Sequence, residues 1–161
     1  MGRAWVFGDN VSTDYIIPGR FNITTDPIEL RKYVFHYARP EFVQQVKPGD
    51  FVIGGRNFGC GSSREHAAIV LRECGVYVIA NSYGWIFRRN CINLGVLPLE
   101  MTEKAQASDG DLMELDLKDL ILKDITIDSM QKLRTVPQFV LDICRSGGLI
   151  EYLNRAKTYN V

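Results

Sequence analysis

The fold is decided by the stretch Phe51-Val-Ile-Gly-Gly-Arg-Asn-Phe-Gly-Cys-Gly-Ser-Ser-Arg-Glu-His-Ala-Ala-Ile-Val-Leu-Arg-Glu-Cys-Gly-Val-Tyr-Val-Ile-Ala80. Its pattern predicts a buried strand at residues 51–53, a glycine-rich loop at 54–61, a helix from Ser62 or Ser63 to Cys74, and a second strand at 76–80. Gly75 is expected to end the helix, because glycine adopts a left-handed conformation there without strain. A strand, a helix and a strand in this order predict parallel pairing through a right-handed crossover.

Segments on both sides of this stretch extend the same arrangement. A short strand is predicted at residues 4–7, residues 12–26 read as a long loop, and a helix is predicted from Pro27 to about residue 37 with Asp26 as its N-cap. Downstream, we expect a helix at 85–94, a strand at 96–99, antiparallel strands at 112–117 and 121–127, and a helix over 139–153 that Gly147 and Gly148 interrupt. The predicted fold class is α/β with some antiparallel structure, in a single domain over residues 1–161.

The composition argues against several classes of protein. The 161 residues include 19 Lys and Arg and 19 Asp and Glu, so no net charge favours nucleic acid or an anionic membrane as a partner. No apolar segment has the length of a signal peptide or a membrane span, so a cytoplasmic protein is expected. The four cysteines form no Cys-x-x-Cys pair, so we expect reduced thiols and no metal site on this chain.

Three interpretations of the glycine-rich loop stay open from the residues alone. Ser62 and Glu65 have the spacing of a capping box, which would make the loop a plain strand-to-helix turn. Four glycines within residues 54–61 instead indicate close backbone approach to a ligand, although the lysine of a nucleotide phosphate loop is absent. A carboxylate site is favoured by the free N–H groups of a helix start and by Arg64. Ser62 and Ser63 add hydroxyl groups, one of which could act as a base if its neighbours stabilised the alkoxide.

Three motifs in this sequence resemble those of a known family. The loop Gly59-Cys-Gly-Ser-Ser-Arg-Glu-His66 resembles the Gly-Ser-Ser-Arg-Glu loop in the swivelling domain of the aconitase superfamily. The segment Asp9-Asn-Val-Ser-Thr-Asp-Tyr-Ile-Ile-Pro18 is similar to the Asp-Thr-Asp-x-Ile-Ile-Pro motif of that family. A third segment, Ser82-Tyr-Gly-Trp-Ile-Phe-Arg-Arg-Asn-Cys-Ile-Asn-Leu-Gly95, looks like its Ser-Phe-Ala-Arg-Ile-Phe-x-Arg-Asn-x-x-Asn-x-Gly segment. The resemblance covers about residues 9–99.

The resemblance implies a swivelling β/β/α domain and an enzyme that is divided between two chains. A free-standing chain of this length is typical of the small subunits of isopropylmalate isomerases and homoaconitases, which are hydro-lyases of amino-acid biosynthesis. In these enzymes a separate large subunit holds a [4Fe–4S] cluster whose open iron acts as a Lewis acid on a hydroxy-di- or tricarboxylic acid. By motif position, Ser62 is expected to remove the carbon-bound proton, while Gly61, Ser63 and Arg64 bind the substrate. Whether the isolated chain forms a homo-oligomer stays open.

In this family, the segment after Pro18 selects the substrate, and here it reads Arg20-Phe-Asn-Ile-Thr-Thr25. Homoaconitases carry an Arg there to pair with an additional carboxylate, whereas isopropylmalate isomerases carry an apolar residue. Ile23 stands at the discriminating position with Thr24 beside it, so both residues are expected to contact the substrate. A buried site without a cation disfavours a carboxylate, which makes isopropylmalate the expected substrate. A homoaconitase, an enzyme that accepts both substrates, and a non-catalytic carboxylate-binding module are the alternatives.

Two departures from the family pattern bear on the site. Ser12 takes the place of the first Asp in the opening motif, and Gly84-Trp85 replaces Ala-Arg in the third. The second departure removes a cation that the family pattern would place near the site or the subunit interface. Trp85 is therefore read as a core or interface residue or as a functional one.

Overall fold

The computed structural model describes residues 1–24 and 26–158, so Thr25 of the expected long loop and residues 159–161 lie outside the described residues. Within them, the strands are β1 (Gly2–Val6), β2 (Phe51–Gly54), β3 (Tyr77–Ala80), β4 (Pro98–Glu100), β5 (Leu112–Asp116), β6 (Ile121–Asp124) and β7 (Ser129–Lys132). They form one sheet in the order β4-β3-β2-β1-β5-β6-β7. The first four strands pair in parallel, as the sequence predicts for β2, β3 and β4. Strand β6 pairs antiparallel with β5, as predicted, and also with β7.

The two edges of this sheet curl towards each other. An antiparallel bridge joins Met101, just after β4, to Leu133, just after β7. The Arg134 N–H donates to the Glu100 carbonyl at 2.8 Å beside this bridge. Apolar side chains fill the interior of the curled sheet, among them Ala4, Phe51, Ile53, Ile79, Leu99, Met113 and Leu122. Because both edge strands are engaged in this way, the sheet exposes little unpaired backbone.

Helices cover the outer face of the parallel half of the sheet. They are α1 (Thr13–Ile16), α2 (Pro27–Arg31), α3 (Phe42–Gln45), α4 (His66–Cys74), α5 (Trp85–Asn93), α6 (Gln138–Arg145) and α7 (Leu149–Thr158), with a 3-10 helix at Gly19–Phe21. A second core lies between helices and sheet, and Val52 faces it while its neighbours Phe51 and Ile53 face the interior of the sheet. This alternation follows from the two-residue period of a strand. None of the helices in the described part of the chain is long and apolar enough to cross a membrane.

Several local predictions are confirmed. Gly75 ends α4 with a φ of +66°. Asp26 caps α2, because its side chain accepts a hydrogen bond from the Ile28 N–H at 3.0 Å. The predicted C-terminal helix is interrupted as expected, since Gly147 and Gly148 have φ values of +96° and +131° between α6 and α7. Strand β7 has no counterpart among the predictions, because its sequence Ser-Met-Gln-Lys carries little apolar alternation.

The predicted helix upstream of β2 is shorter than expected. The helix that begins at Pro27 ends at Arg31, and not near residue 37. Phe35 breaks it by adopting a φ of +50°, which lets its N–H donate to the Ile16 carbonyl at 2.7 Å and its ring stack on Phe7 with centroids 4.3 Å apart. Burial of this ring outweighs the local helix propensity.

The segment predicted as a long loop contains α1 and the 3-10 helix. Ser12 caps α1, and its hydroxyl oxygen accepts a hydrogen bond from the Tyr15 N–H at 3.1 Å. Helices of three or four residues complete at most one turn, so they leave no periodic pattern in the sequence.

Asp50 ties the start of β1 to the turn that precedes β2. Asp50 is only 6% exposed. Its carboxylate accepts hydrogen bonds from the Arg3 N–H at 2.8 Å, the Trp5 indole N–H at 3.2 Å and the Lys47 N–H at 3.0 Å. The sheet therefore depends on a buried carboxylate whose hydrogen bonds span more than forty residues of sequence.

We expect Asp50→Ala to lower the free energy of unfolding by about 3 kcal/mol, because three donors lose their acceptor. Equilibrium unfolding in urea measures this change. Asp119→Ala is the matched control, since Asp119 is exposed and its carboxylate accepts no hydrogen bond within the described residues. A loss at Asp50 no larger than that of the control would contradict this account.

Candidate active site

Three loops lie side by side where the parallel strands β1, β2 and β3 end. Residues 10–13 pair with 57–61, and these pair with 82–84, so the loops continue the order of the sheet. The hydrogen bonds that hold them run from Gly59 N–H to the Val11 carbonyl (2.6 Å), Thr13 N–H to Cys60 (2.8 Å), Phe58 N–H to Ser82 (2.9 Å) and Gly84 N–H to Phe58 (2.8 Å). The three sequence motifs thereby meet at the carboxyl edge of the parallel strands, where ligands bind in open α/β sheets.

Ser62 is held from both sides. Its N–H donates to the Thr13 hydroxyl at 3.0 Å, and Thr13 is only 4% exposed. Its own hydroxyl oxygen accepts hydrogen bonds from Arg64, from the backbone N–H at 3.2 Å and from Nε at 3.1 Å. A guanidinium that donates to a hydroxyl oxygen stabilises negative charge on that oxygen. An alkoxide at Ser62 would therefore be stabilised by the guanidinium of Arg64.

The start of α4 differs from the prediction. The helix begins at His66, Glu65 is its N-cap without a side-chain hydrogen bond, and the expected capping box with Ser62 does not form. The residues between them leave the helical path because Asn90 Nδ2 donates to the carbonyls of Ser63 (3.2 Å) and Arg64 (3.4 Å). The expected helix start at Ser62 or Ser63 is therefore wrong, since both residues precede the first turn of α4.

The helix that starts beside Ser62 is α5. Gly84 is its N-cap and has no side chain to satisfy the N–H groups of the first turn. A Cβ on Gly84 would lie 2.8 Å from the Gly59 carbonyl oxygen and 2.9 Å from Cys60 Cα, so only glycine lets the helix approach the loop this closely. The positive end of the α5 dipole, and not that of the α4 dipole, therefore lies beside the Ser62 loop.

Loop and helix enclose a cleft of about 260 Å³. The side chains and backbone that line it include Gly59, Cys60, Gly61, Ser62, Trp85 and Ile86. Known small-molecule sites occupy roughly 300–1,000 Å³, so this cleft is smaller than a complete site. Its open side is available to a second surface.

The structure brings together four of the six predicted site residues. Gly61 and Ser62 line the cleft, and Ser63 and Arg64 follow them as exposed residues. Arg64 Nη2 would lie 3.4 Å from a Cβ on Gly19, so the guanidinium also reaches the segment after Pro18.

The other two predicted residues lie apart from the cleft in this chain. Ile23 is 88% exposed and does not line it. The Thr24 hydroxyl oxygen accepts a hydrogen bond from the Asp26 N–H at 3.1 Å, which is a local turn contact. Neither residue meets Ser62 within the described structure.

Three residues besides the predicted site residues help to build the site. Thr13 orients Ser62, and Asn90, only 3% exposed, holds the backbone of residues 63 and 64. Asp14 accepts a hydrogen bond from the Gly19 N–H at 3.1 Å and so fixes the start of the segment that carries Ile23. All three stand inside the quoted motifs. The contact between Thr13 and Ser62 joins positions 49 residues apart, so no local pattern indicated it.

The titratable side chains in the described part of the chain do not form a metal centre. Burial, and then the positive charge of Arg64, lowers the pKa of His66, which keeps its ring neutral at neutral pH. Burial raises the pKa of the Cys74 and Cys91 thiols and raises that of Cys144 to about 11, so these thiols stay protonated. Within the described residues, no three His, Cys, Asp or Glu side chains are grouped to hold a metal ion. These residues do not fit an iron–sulfur cluster.

Comparison with known proteins supports the resemblance seen in the motifs. Residues 46–104 match the family model of the aconitase C-terminal domain. The chain is 46% identical over 153 residues to the 3-isopropylmalate dehydratase small subunit 1 of Archaeoglobus fulgidus, an alignment that covers 94% of this chain and 95% of that one. It is 44% identical over 158 residues to the isopropylmalate/citramalate isomerase small subunit of Methanocaldococcus jannaschii, covering 96% and 93% of the two chains.

A solved structure agrees with these relatives. The crystal structure of a 3-isopropylmalate dehydratase from Methanocaldococcus jannaschii superposes with a TM-score of 0.94 at 41% identity, covering 99% of this chain and 95% of that one. The predicted fold class is confirmed by this similarity, which extends over the sheet and its helices.

We expect Thr13→Val to increase amide hydrogen exchange at Ser62 about tenfold, because the Ser62 N–H loses its acceptor. Thr13→Ser retains the hydroxyl and should restore slow exchange. Thr126→Val is the matched control, because the Thr126 hydroxyl accepts from the Leu112 N–H at 2.8 Å and its loss should affect Leu112 alone. Unchanged exchange at Ser62 in Thr13→Val would refute the positioning role.

Proposed function

Because the chain belongs to the family of 3-isopropylmalate dehydratase small subunits, we propose that it is the small subunit of a hydro-lyase. The enzyme interconverts 2-isopropylmalate and 3-isopropylmalate by dehydration and rehydration, a step of leucine biosynthesis. The proposal rests on Ser62 with its hydroxyl beside Arg64, in a chain that aligns with 95% of a relative of that name. In this proposal residues 1–161 act as one swivelling domain of a cytoplasmic enzyme, which is inactive without its partner.

The partner is a large subunit that closes the open side of the cleft. A cleft of about 260 Å³ is less than a complete site, so the second chain supplies the remaining wall. We assign the [4Fe–4S] cluster to that subunit, since the cysteines of this chain do not fit one.

Ser62 is the base in this mechanism. Its oxygen takes the proton from the carbon beside a substrate carboxylate, the hydroxyl group leaves the neighbouring carbon, and an unsaturated diacid forms. Hydroxide then adds at the carbon that lost the proton, and Ser62 returns the proton to the carbon that lost the hydroxyl group, so the two groups have exchanged positions. Arg64 and the positive end of the α5 dipole stabilise the negative charge on the Ser62 oxygen before it accepts the proton. Thr13 keeps Ser62 oriented through its hydrogen bond to the backbone.

Substrate carboxylates are bound by the residues on either side of Ser62. Arg64 uses Nε for the Ser62 hydroxyl, which leaves its Nη atoms to pair with a carboxylate. Ser63 adds a hydroxyl donor beside it. Gly61 has a φ of +112°, and its lack of a side chain lets the backbone approach the ligand.

Ile23 and Thr24 contact the substrate only in the assembled enzyme. In this chain Ile23 is exposed, so the large subunit would complete its surroundings. A homoaconitase, an enzyme of dual specificity and a non-catalytic carboxylate-binding module remain the alternatives. One relative is named for both isopropylmalate and citramalate, which favours a site that tolerates alkyl groups of different size.

We expect Ser62→Ala, mixed with an anaerobically reconstituted large subunit, to lose at least a hundredfold in kcat for isopropylmalate, because the general base is removed. Absorbance of the unsaturated intermediate follows the reaction. Ser108→Ala is the control, since Ser108 is exposed and outside the cleft. Full activity of Ser62→Ala would disprove the role of Ser62, and a wild-type mixture that is inactive on isopropylmalate would disprove the function. A large subunit that is active without this chain would count against the divided site.

Ile23→Arg should shift the ratio of kcat/KM about tenfold from isopropylmalate towards homocitrate, since a guanidinium pairs with the additional carboxylate. Ile23→Gln is the matched control, because its side chain is long and polar but uncharged. An equal shift in the two variants would exclude charge pairing, and no shift in either would place Ile23 outside the assembled site. Parent activity on homocitrate above that on isopropylmalate would instead favour the homoaconitase alternative.

A further inference from the structure

Trp85 is the most conspicuous side chain of the cleft that the proposed mechanism does not use. It is 80% exposed, whereas the other tryptophan of the chain, Trp5, is 3% exposed. Tryptophan side chains are highly buried on average, since the indole ring carries a large apolar surface. The exposed ring is therefore expected to be covered in the working enzyme.

The position of Trp85 is fixed by the packing of its helix. Gly84 brings the start of α5 against the backbone of residues 59 and 60. Phe87, only 2% exposed, anchors the buried face of the helix between the rings of Phe58 and Tyr83, with centroids 5.8 Å and 6.2 Å away. Trp85 thus projects from a rigid element, and its exposure is a property of the folded site.

The α5 side of the cleft is apolar. Trp85 and Ile86 form this side, opposite the glycines of the loop and Ser62. No Lys, Arg or His lines the cleft among the described residues, and Arg64 stands at its edge beyond Ser62. A second carboxylate would find no charged side chain on this wall, whereas an alkyl group would lose water contact on both surfaces.

We propose that Trp85, supported by Ile86, is the wall against which the alkyl group of the substrate packs when the large subunit closes the cleft. This inference rests on the proposed function and deepens it, since it moves alkyl recognition to a residue that shares a cleft with Ser62. Ile23, which lies outside this cleft, then contributes less to that recognition.

The size of the alkyl group makes this role measurable. Isopropylmalate carries an isopropyl group where citramalate carries a methyl group, so the larger substrate buries two more carbons. Each methylene buried against an enzyme changes kcat/KM by roughly tenfold or somewhat more. Loss of the indole should therefore penalise isopropylmalate much more than citramalate.

The test uses the assembled enzyme with the large subunit at saturating concentration. Trp85→Ala is expected to raise KM for isopropylmalate about tenfold and KM for citramalate less than threefold, with kcat changed less than threefold. Trp85→Phe should restore most of the difference. Phe139→Ala is the matched control, since Phe139 is an aromatic residue 59% exposed that does not line the cleft. Ile23→Ala is measured in parallel.

The outcomes separate the inference from the function on which it rests. Equal effects of Trp85→Ala on both substrates, or a larger selective effect of Ile23→Ala, would overturn the inference alone. A weaker affinity for the large subunit with unchanged KM values at saturation would assign Trp85 to the subunit interface and would likewise overturn it. A wild-type assembly inactive on both substrates would overturn the proposed function and this inference with it.

Discussion

Backbone hydrogen bonds between loops hold the site in place after the strands themselves have ended. The loops after β1, β2 and β3 keep the parallel order of the sheet, so Thr13 comes to lie beside Ser62, 49 residues later in the chain. Gly59 and Gly84 make this possible, because side chains there would collide with the Phe87 ring and the Cys60 backbone. The hydrogen bond between Ser62 and Thr13 follows from this close approach.

The same arrangement explains why the helix after the loop starts late. The carbonyls of residues 63 and 64 accept hydrogen bonds from Asn90 Nδ2, so they do not take part in the backbone hydrogen bonds of α4. Arg64 is thereby free to turn its Nε back to the Ser62 hydroxyl. A regular first turn would have satisfied the backbone with a capping box, but it would have bonded Ser62 to that turn and not to the guanidinium. The chemistry of the site depends on this departure from local preference.

The charges around the cleft are distributed unevenly. Arg64 and the backbone N–H groups of the first turn of α5 provide positive potential near Ser62, while the side chains of Trp85 and Ile86 form an apolar wall. This division suits a substrate with carboxylates at one end and an alkyl group at the other. The exposure of Trp85 and the small volume of the cleft have a common explanation if a second chain completes the site.

The sequence by itself determined the elements whose signals are local. Apolar runs and the glycine after α4 marked the parallel strands and their crossover, because strand alternation and a left-handed glycine are properties of a few neighbouring residues. The three motifs likewise indicated the loops of the site. Only the tertiary structure decided that Phe35 would end α2, that Thr13 would hold Ser62, and that Trp85 and not Ile23 would line the cleft. Each of these depends on contacts between residues far apart in the chain, which no local pattern records.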